Sequence, residues 1–217
     1  ERDEHGGGPG QHRPDDREER DRHPDEQQDD ADPVLPLMVL QVPNSPDYNE
    51  IGKWWWSLVK EQLIVDEPIR QKVDELTKGL ETQDEKLVAI HNYVVKNTRY
   101  VALEFGIYGF KPRRCVQTVA RGWGDCKDKA TVIVSLLKEL GIDSTIVILR
   151  TQMRGEFQSD VASLAPFDHA IAYVPSLDLF LDGTAEYTGT GELPAMDQGA
   201  LGILVNQGNP KLVTLPE

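Results

Sequence analysis

Residues 122–141 read GWGDCKDKATVIVSLLKELG, and this stretch predicts the central helix of the fold. From Asp125 onward, apolar residues recur with the spacing of one helix face: Ala130, Ile133, Val134, Leu137 and Leu140. Gly141 supplies a typical C-terminal stop, and the glycines at 122 and 124 allow a sharp turn before the helix begins. The pattern predicts an amphipathic helix whose first turn contains Cys126.

The position of Cys126 at a helix N-terminus favours a reactive thiol. Unpaired backbone N–H groups and the positive end of the helix dipole stabilise a thiolate over a thiol. The alternative is a small buried cysteine that fills space at the start of the helix. Taken alone, Cys126 fits the packing role better, so a catalytic role depends on partners elsewhere in the chain.

Three longer helices, and then a short one from Arg113 to about Arg121, are predicted before this stretch. Helical periodicity begins at Ile51, resumes after Pro68 in the first turn of a second helix, and resumes again after a capping box at residues 82–85. His91 lies at the edge of the apolar face of the third helix. It could serve a site, but a structural histidine is the stronger interpretation.

Strands are predicted after the central helix. Residues 144–150 form a continuous β-branched run, which is typical of a buried strand. The runs 169–174 and 179–182 predict a β-hairpin, and residues 200–205 predict a further strand. Because helices come first and antiparallel strands follow, the expected class is α+β, with N-terminal helices packed on an antiparallel sheet.

The predicted hairpin brings a histidine and a carboxylate together. His169 opens its first strand and Asp182 closes its second, so the two positions lie opposite each other or nearly so. A cysteine at a helix N-terminus, a histidine and an orienting carboxylate are the set that acyl transfer requires. A hydrogen-bonded strand histidine and a turn aspartate are the plain alternatives for each residue singly. The three together, in this order, favour a catalytic set of Cys126, His169 and Asp182.

The composition excludes several classes of protein. The chain has 217 residues and a formal net charge of −14, which argues against a nucleic-acid-binding protein. No apolar run approaches the length of a membrane span, so we expect none. Two cysteines exclude a disulfide-rich scaffold, and we expect Cys115 to be a packed free thiol.

The chain divides into three predicted regions. Residues 1–32 contain no Val, Ile, Leu, Met or aromatic residue and predict a disordered acidic tail. Residues 33–47 are apolar but interrupted by prolines, and they predict an extended segment leading into the domain. Residues 48–217 are expected to form the catalytic domain. The first residue is not Met, so we expect the sequence to be processed or excised from a longer chain.

Three blocks of the sequence resemble the transglutaminase-like superfamily of bacterial papain-type domains: GDCKDKA at 124–130, FDHAIAYV at 167–174 and LFLDGTAE at 179–186. The resemblance covers roughly residues 48–210. It implies a papain-like cysteine-protease fold with a catalytic triad of Cys126, His169 and Asp182. It also implies flanking β-rich domains in a longer chain.

The oxyanion hole departs from the papain pattern. Papain-type enzymes use a glutamine six residues before the cysteine, and that position here is Ala120. Gln117 is nearby but at the wrong spacing. We expect the Cys126 backbone N–H to be one oxyanion donor, with Trp123 and Gln117 as candidates for contacts to the oxyanion or substrate.

The leading hypothesis is therefore a cysteine-dependent hydrolase or acyltransferase acting on peptide or isopeptide amides of a peptide or protein substrate, with hydrolysis favoured. It requires neither a metal nor an organic cofactor. One alternative is a catalytically silent binding or assembly module of a larger bacterial envelope protein, which the Trp54–Trp56 cluster and the incomplete oxyanion hole would suit. Another is a metal site of Cys126, His169 and Asp182. The resemblance favours an envelope, periplasmic or secreted location over the cytoplasm.

Overall fold

The computed structural model describes residues 47–154, 162–206 and 208–217, all within the unit Val34–Glu217. Its helices are α1 (Tyr48–Val59), α2 (Glu67–Thr77), α3 (Gln83–Asn97), α4 (Cys115–Arg121) and α5 (Cys126–Glu139). Its strands are β1 (Arg99–Tyr100), β2 (Trp123–Gly124), β3 (Thr145–Arg150), β4 (His169–Val174), β5 (Leu179–Leu181), β6 (Leu201–Val205) and β7 (Lys211–Thr214). The predicted tail at 1–32 and all of the segment at 33–47 except Asp47 lie outside the described residues.

The three N-terminal helices begin at capping residues. The side chains of Asp47 and Asp66 accept the backbone N–H groups of Glu50 and Ile69, which satisfies donors that a helix start leaves free. Thr82 and Glu85 form the reciprocal capping box that the sequence predicts at the start of α3. All three predicted helices are confirmed.

The sheet has five antiparallel strands in the order β5-β4-β3-β6-β7. The predicted hairpin is confirmed as β4 and β5, and the strand predicted at 200–205 is confirmed as β6. Strand β7 pairs with β6 at the sheet edge and has no counterpart in the sequence-based prediction. A separate parallel pair joins β1 to β2 immediately before α5.

Alternate residues of the central strands pack on opposite faces of the sheet, as the two-residue period of a strand requires. Ile146 and Ile148 of β3 belong to the main core beneath the helices, whereas Val147 and Leu149 belong to a smaller cluster on the other side. Helix α5 packs on β3 and β4, and α1 packs on β6 and β7. The predicted α+β class, with helices on an antiparallel sheet, is confirmed.

The tryptophan cluster contributes to this core. Trp55 is buried, and Trp54 packs edge-on against Phe110 with ring centroids 5.6 Å apart. Among the helices that the structure describes, none is both long and apolar enough to cross a membrane.

Candidate active site

The start of helix α5 is fixed by a reciprocal capping box around Cys126. Asp125 is the N-cap residue and accepts the backbone N–H of Asp128, while the Asp128 carboxylate reaches back to the N–H of Asp125. Cys126 is the first helical residue and is buried. These two bonds fix the helix start and place the Cys126 side chain at its positive end.

The Asp128 carboxylate also anchors the preceding segment. Arg121 Nη2 and the backbone N–H of Arg113 each donate to it at 2.7 Å. The Arg121 guanidinium in turn lies 3.9 Å from the centre of the Trp123 ring. The turn before Cys126 is therefore held by a buried carboxylate with several donors, which restricts the position of the thiol.

The first turn of α5 also contains two buried lysines. Sequence polarity suggests that Lys127 and Lys129 lie on a solvated face, and this expectation is wrong. The Lys127 ammonium contacts Asp125 at 2.6 Å and Glu104 at 3.5 Å. The Lys129 ammonium donates to the Thr98 carbonyl at 2.7 Å. Both are buried because α5 is covered by neighbouring elements on several sides.

His169 and Asp182 meet beside Cys126. His169 is the first residue of β4, and its Nε2 lies 3.3 Å from Asp182 Oδ2. The ring nitrogen is not aligned for a hydrogen bond, so the contact is an ion pair. The hairpin register pairs Ala172 with Leu181, which offsets His169 from Asp182 by two positions rather than placing them opposite. The contact forms nonetheless because Asp182 lies just beyond the last paired residue.

The electrostatic environment favours a charged pair. Burial alone lowers the pKa of His169, but the Asp182 and Cys126 side chains raise it well above its ordinary value. Burial raises the pKa of Asp182, whereas His169 and the hydrogen bonds from Thr184 lower it below the ordinary value. An imidazolium and a carboxylate are the stable forms of the pair. Since Nε2 faces Asp182, Nδ1 is the ring nitrogen available to Cys126.

Asp182 is held on two sides. The Thr184 backbone N–H and hydroxyl both donate to its carboxylate, at 2.7 and 2.8 Å. His91 Nε2–H donates to the Asp182 carbonyl at 3.0 Å, so Nδ1 of His91 accepts from the Thr190 hydroxyl at 2.9 Å. The structural interpretation of His91 is thus supported, with a specific role in fixing the backbone of Asp182.

A further carboxylate, which the sequence analysis did not identify, lies at the same site. Asp197 is fully buried, and its Oδ2 is 3.9 Å from His169 Nε2. It comes from the loop between β5 and β6, where no periodic pattern or motif marks it. A buried charged residue in a polar loop can be recognised only from its contacts.

Neither of the two side chains considered for the oxyanion or substrate lies at the cavity. Trp123 and Gln117 do not line the cavity beside Cys126, and Gln117 on α4 is exposed, as is Ala120. Tyr100 of β1 instead interacts with the Cys126 side chain, and burial together with nearby negative charges raises the pKa of its phenol. The pairing of β1 with β2 explains why Tyr100 reaches the thiol.

A cavity of about 180 Å³ opens beside Cys126 and His169. Its apolar lining includes Trp55, Phe110 and Phe167, and its charged lining includes Glu104 and Arg154. Glu104 and Arg154 are each about half exposed, so water has access to the cavity. The dimensions suit a side chain or a short extended segment next to the thiol.

Two groups of potential metal ligands occur among the described residues: Glu104 with Asp125 and Cys126, and His169 with Asp182 and Asp197. The Lys127 ammonium already contacts both carboxylates of the first group. Within the described part of the chain, the trio of the metal-site alternative (Cys126, His169 and Asp182) does not form one such group. Both cysteines are free, as expected for Cys115.

Comparison with known proteins gives one family and two structural relatives. A candidate protease from Parabacteroides distasonis superposes with a TM-score of 0.56 at 15% identity, covering 76% of this chain and 31% of that one. A candidate cysteine protease from Cytophaga hutchinsonii gives a TM-score of 0.44 at 13% identity, covering 72% of this chain and 51% of that one. The chain thus spans about a third of the length of the first relative.

No curated protein sequence matches the chain. The family model of the transglutaminase-like superfamily matches residues 70–174, a range that contains Cys126 and His169 and ends before Asp182. Segment 70–174 is therefore similar to the transglutaminase-like superfamily.

Proposed function

We propose that the protein is a cysteine-dependent hydrolase or acyltransferase that acts on peptide or isopeptide amide bonds. Cys126 is the nucleophile, His169 the general acid and base, and Asp182 the group that orients and charges the imidazole. The observation that carries the proposal is the buried imidazole of His169, which interacts with Asp182 at 3.3 Å and with Cys126, beside an open cavity.

The reaction begins with attack of the Cys126 thiolate on the amide carbonyl carbon. A C–S bond forms and the carbonyl electron pair moves to the oxygen, which gives a tetrahedral oxyanion. Collapse of this intermediate breaks the C–N bond as His169 transfers its proton to the leaving nitrogen, and a thioester remains. In the second half, His169 takes a proton from water, the oxygen attacks the thioester carbon, and breaking the C–S bond restores the thiolate and imidazolium.

Two donors near Cys126 suit the oxyanion. The Cys126 backbone N–H lies in the first turn of α5, where it has no partner within the helix. The Tyr100 hydroxyl is our candidate for the second donor, because Tyr100 interacts with the Cys126 side chain. It takes the place that the sequence analysis left to Trp123 or Gln117.

Water is the favoured acyl acceptor. Transfer to an amine requires a site that keeps water away from the thioester. Here Glu104 and Arg154 on the cavity wall are both about half exposed, which leaves the reacting sulfur accessible to solvent. The description of the Parabacteroides distasonis relative as a candidate protease agrees with hydrolysis.

The proposal is tested by incubating the protein with a peptide mixture in oxygen-18 water, with and without a primary amine. We expect cleaved peptides with oxygen-18 in the new carboxyl group, and no product from Cys126→Ala. Cys115→Ala is the matched control, because it removes the other cysteine, which is buried on α4, and should retain activity. Products that contain the amine would assign acyl transfer, and equal turnover by Cys126→Ala would refute the thiol mechanism.

The alternative is a silent binding or assembly module within a longer envelope protein. The chain covers only 31% of the Parabacteroides distasonis protein, which is compatible with such a role. The two functions predict different behaviour for Cys126→Ala. The variant of an enzyme binds substrate but forms no product, whereas the variant of a module behaves as the unaltered protein does in every assay.

A further inference from the structure

Two buried carboxylates face one nitrogen of His169. Asp182 Oδ2 lies 3.3 Å from Nε2 and Asp197 Oδ2 lies 3.9 Å from it. The potential ligand atoms of the three residues are all within 4.8 Å of one another. The imidazole therefore interacts with a carboxylate pair rather than with a single orienting residue.

The two carboxylates differ in their hydrogen bonding. Asp182 accepts from the backbone N–H and hydroxyl of Thr184. Asp197 is 0% exposed, and neither of its oxygens accepts a hydrogen bond from a donor in the described residues. An ionised carboxylate in that environment has a large desolvation penalty, so Asp197 is the member of the pair that retains a proton.

The loop backbone fixes Asp197 in this position. Its N–H donates to the Pro194 carbonyl at 2.8 Å, and its carbonyl accepts the N–H of Ala200 at 3.1 Å. These two bonds form a tight turn immediately before β6, the neighbour of β3 in the sheet. The turn therefore fixes the backbone of Asp197 beside His169.

Three charged groups act on Asp197. Its pKa is raised to about 7: burial is the largest cause, the His169 charge opposes it, and the charges of Asp182 and Asp168 add to it. Asp168 accepts hydrogen bonds from Thr151 and Arg154. The protonated Asp197 has Asp182 within hydrogen-bond reach.

We propose that Asp197 is a positioning residue, which donates a hydrogen bond to Asp182 when protonated and, when ionised, adds a second negative charge that keeps His169 protonated. The inference rests on the proposed function for its consequence in catalysis. At pH values at which Asp197 is protonated, its hydrogen bond restricts the orientation of Asp182. At higher pH, its negative charge extends the pH range over which the thiolate–imidazolium pair persists.

The test compares Asp197→Asn and Asp197→Ala by NMR titration of the His169 ring, assigned with His169→Gln. Asn keeps the hydrogen-bond donor but cannot ionise. We expect the His169 midpoint to fall by roughly one pH unit or more in both variants, which is the effect of losing a nearby negative charge. Asp178→Asn, an exposed position in the β4–β5 turn, is the control and should leave the midpoint unchanged.

A second measurement separates positioning from charge. The rate of Cys126 alkylation by iodoacetamide at pH 6 should stay within about threefold for Asp197→Asn and fall about tenfold for Asp197→Ala, which loses the charge-assisted hydrogen bond. An unchanged His169 midpoint in Asp197→Asn would overturn the proposal. Failure of the unaltered protein to cleave any amide would refute the proposed function instead, and it would leave this titration unaffected.

Discussion

Replacing Asp182 with Asn removes the negative charge closest to His169 while preserving the shape of the side chain. At the observed 3.3 Å, and with an effective dielectric constant of about 20, the Coulomb attraction amounts to about 5 kcal/mol. Desolvation offsets part of it, and breaking one side of a buried pair typically costs about 3–5 kcal/mol. Asp197 lies 3.9 Å from the same nitrogen, and neutralising Asp182 removes a charge that favours the protonated form of Asp197, so Asp197 supplies part of the lost charge and we expect the lower end of this range.

A loss of about 3 kcal/mol reduces the population of the thiolate–imidazolium pair by about 100-fold. Alkylation by iodoacetamide follows the thiolate population, so its rate at Cys126 at pH 6 should fall by a similar factor. The rate is measured by mass spectrometry of the peptide that contains Cys126, with circular dichroism to verify folding.

Asp178→Asn provides the matched control for this experiment. It makes the same substitution in the same hairpin, at an exposed residue with a φ of 47° that asparagine also tolerates. Its alkylation rate should equal that of the unaltered protein. If Asp182→Asn is folded and is alkylated within about threefold of the control, the ion-pair reasoning is refuted.

Three further predictions follow from the site. Gly124→Ala would place a Cβ 2.6 Å from the Asp128 Cβ, so it should lower the free energy of unfolding by about 1–3 kcal/mol and also lower activity. Gly208→Ala is the control: its Cβ would meet no described atom within 4 Å, so its urea unfolding should be nearly unchanged. The pKa of His169 is higher in the folded protein than in the unfolded chain, where it is about 6.5, so its protonation stabilises the fold. This stabilisation is complete below pH 6.5 and is lost as the pH rises through the folded pKa. It amounts to about 1.4 kcal/mol for each unit by which the pKa is raised. The stability advantage over His169→Gln should therefore shrink between pH 6 and pH 9, and a constant or growing advantage would contradict this sign. Tyr100→Phe should lower kcat about 100-fold with little change in KM if the hydroxyl stabilises the oxyanion, and an unchanged kcat would exclude that role.

Much of the fold could be predicted because local patterns determine it. The capping box at Asp125, the periodicity of α5 and the β-branched run of β3 are all local signals, and each element forms where its signal lies. The tight turn between β4 and β5 was enough to predict the hairpin. It was not enough to predict the exact register, because a shift of two residues leaves the alternation of side chains between the two faces unchanged.

The environment of the charged residues was not predictable in the same way. Lys129 resembles a surface residue in the sequence, yet the structure buries it against the Thr98 carbonyl. Asp197 lies in a loop without periodicity, and only the folded chain brings it to His169. Tyr100 reaches Cys126 through the pairing of β1 with β2, two strands of two residues each, which are too short to leave a pattern. Contacts between distant segments determine these features, and they leave no spacing in the sequence.

The most direct measurement is a crystal structure of the protein with a peptide aldehyde, which mimics the tetrahedral intermediate. The account predicts a single covalent bond from Cys126 Sγ to the aldehyde carbon, with the resulting oxygen facing the Cys126 N–H and the Tyr100 hydroxyl. An aldehyde bound at Cys115, or left unreacted in the cavity beside an intact Cys126, would contradict it.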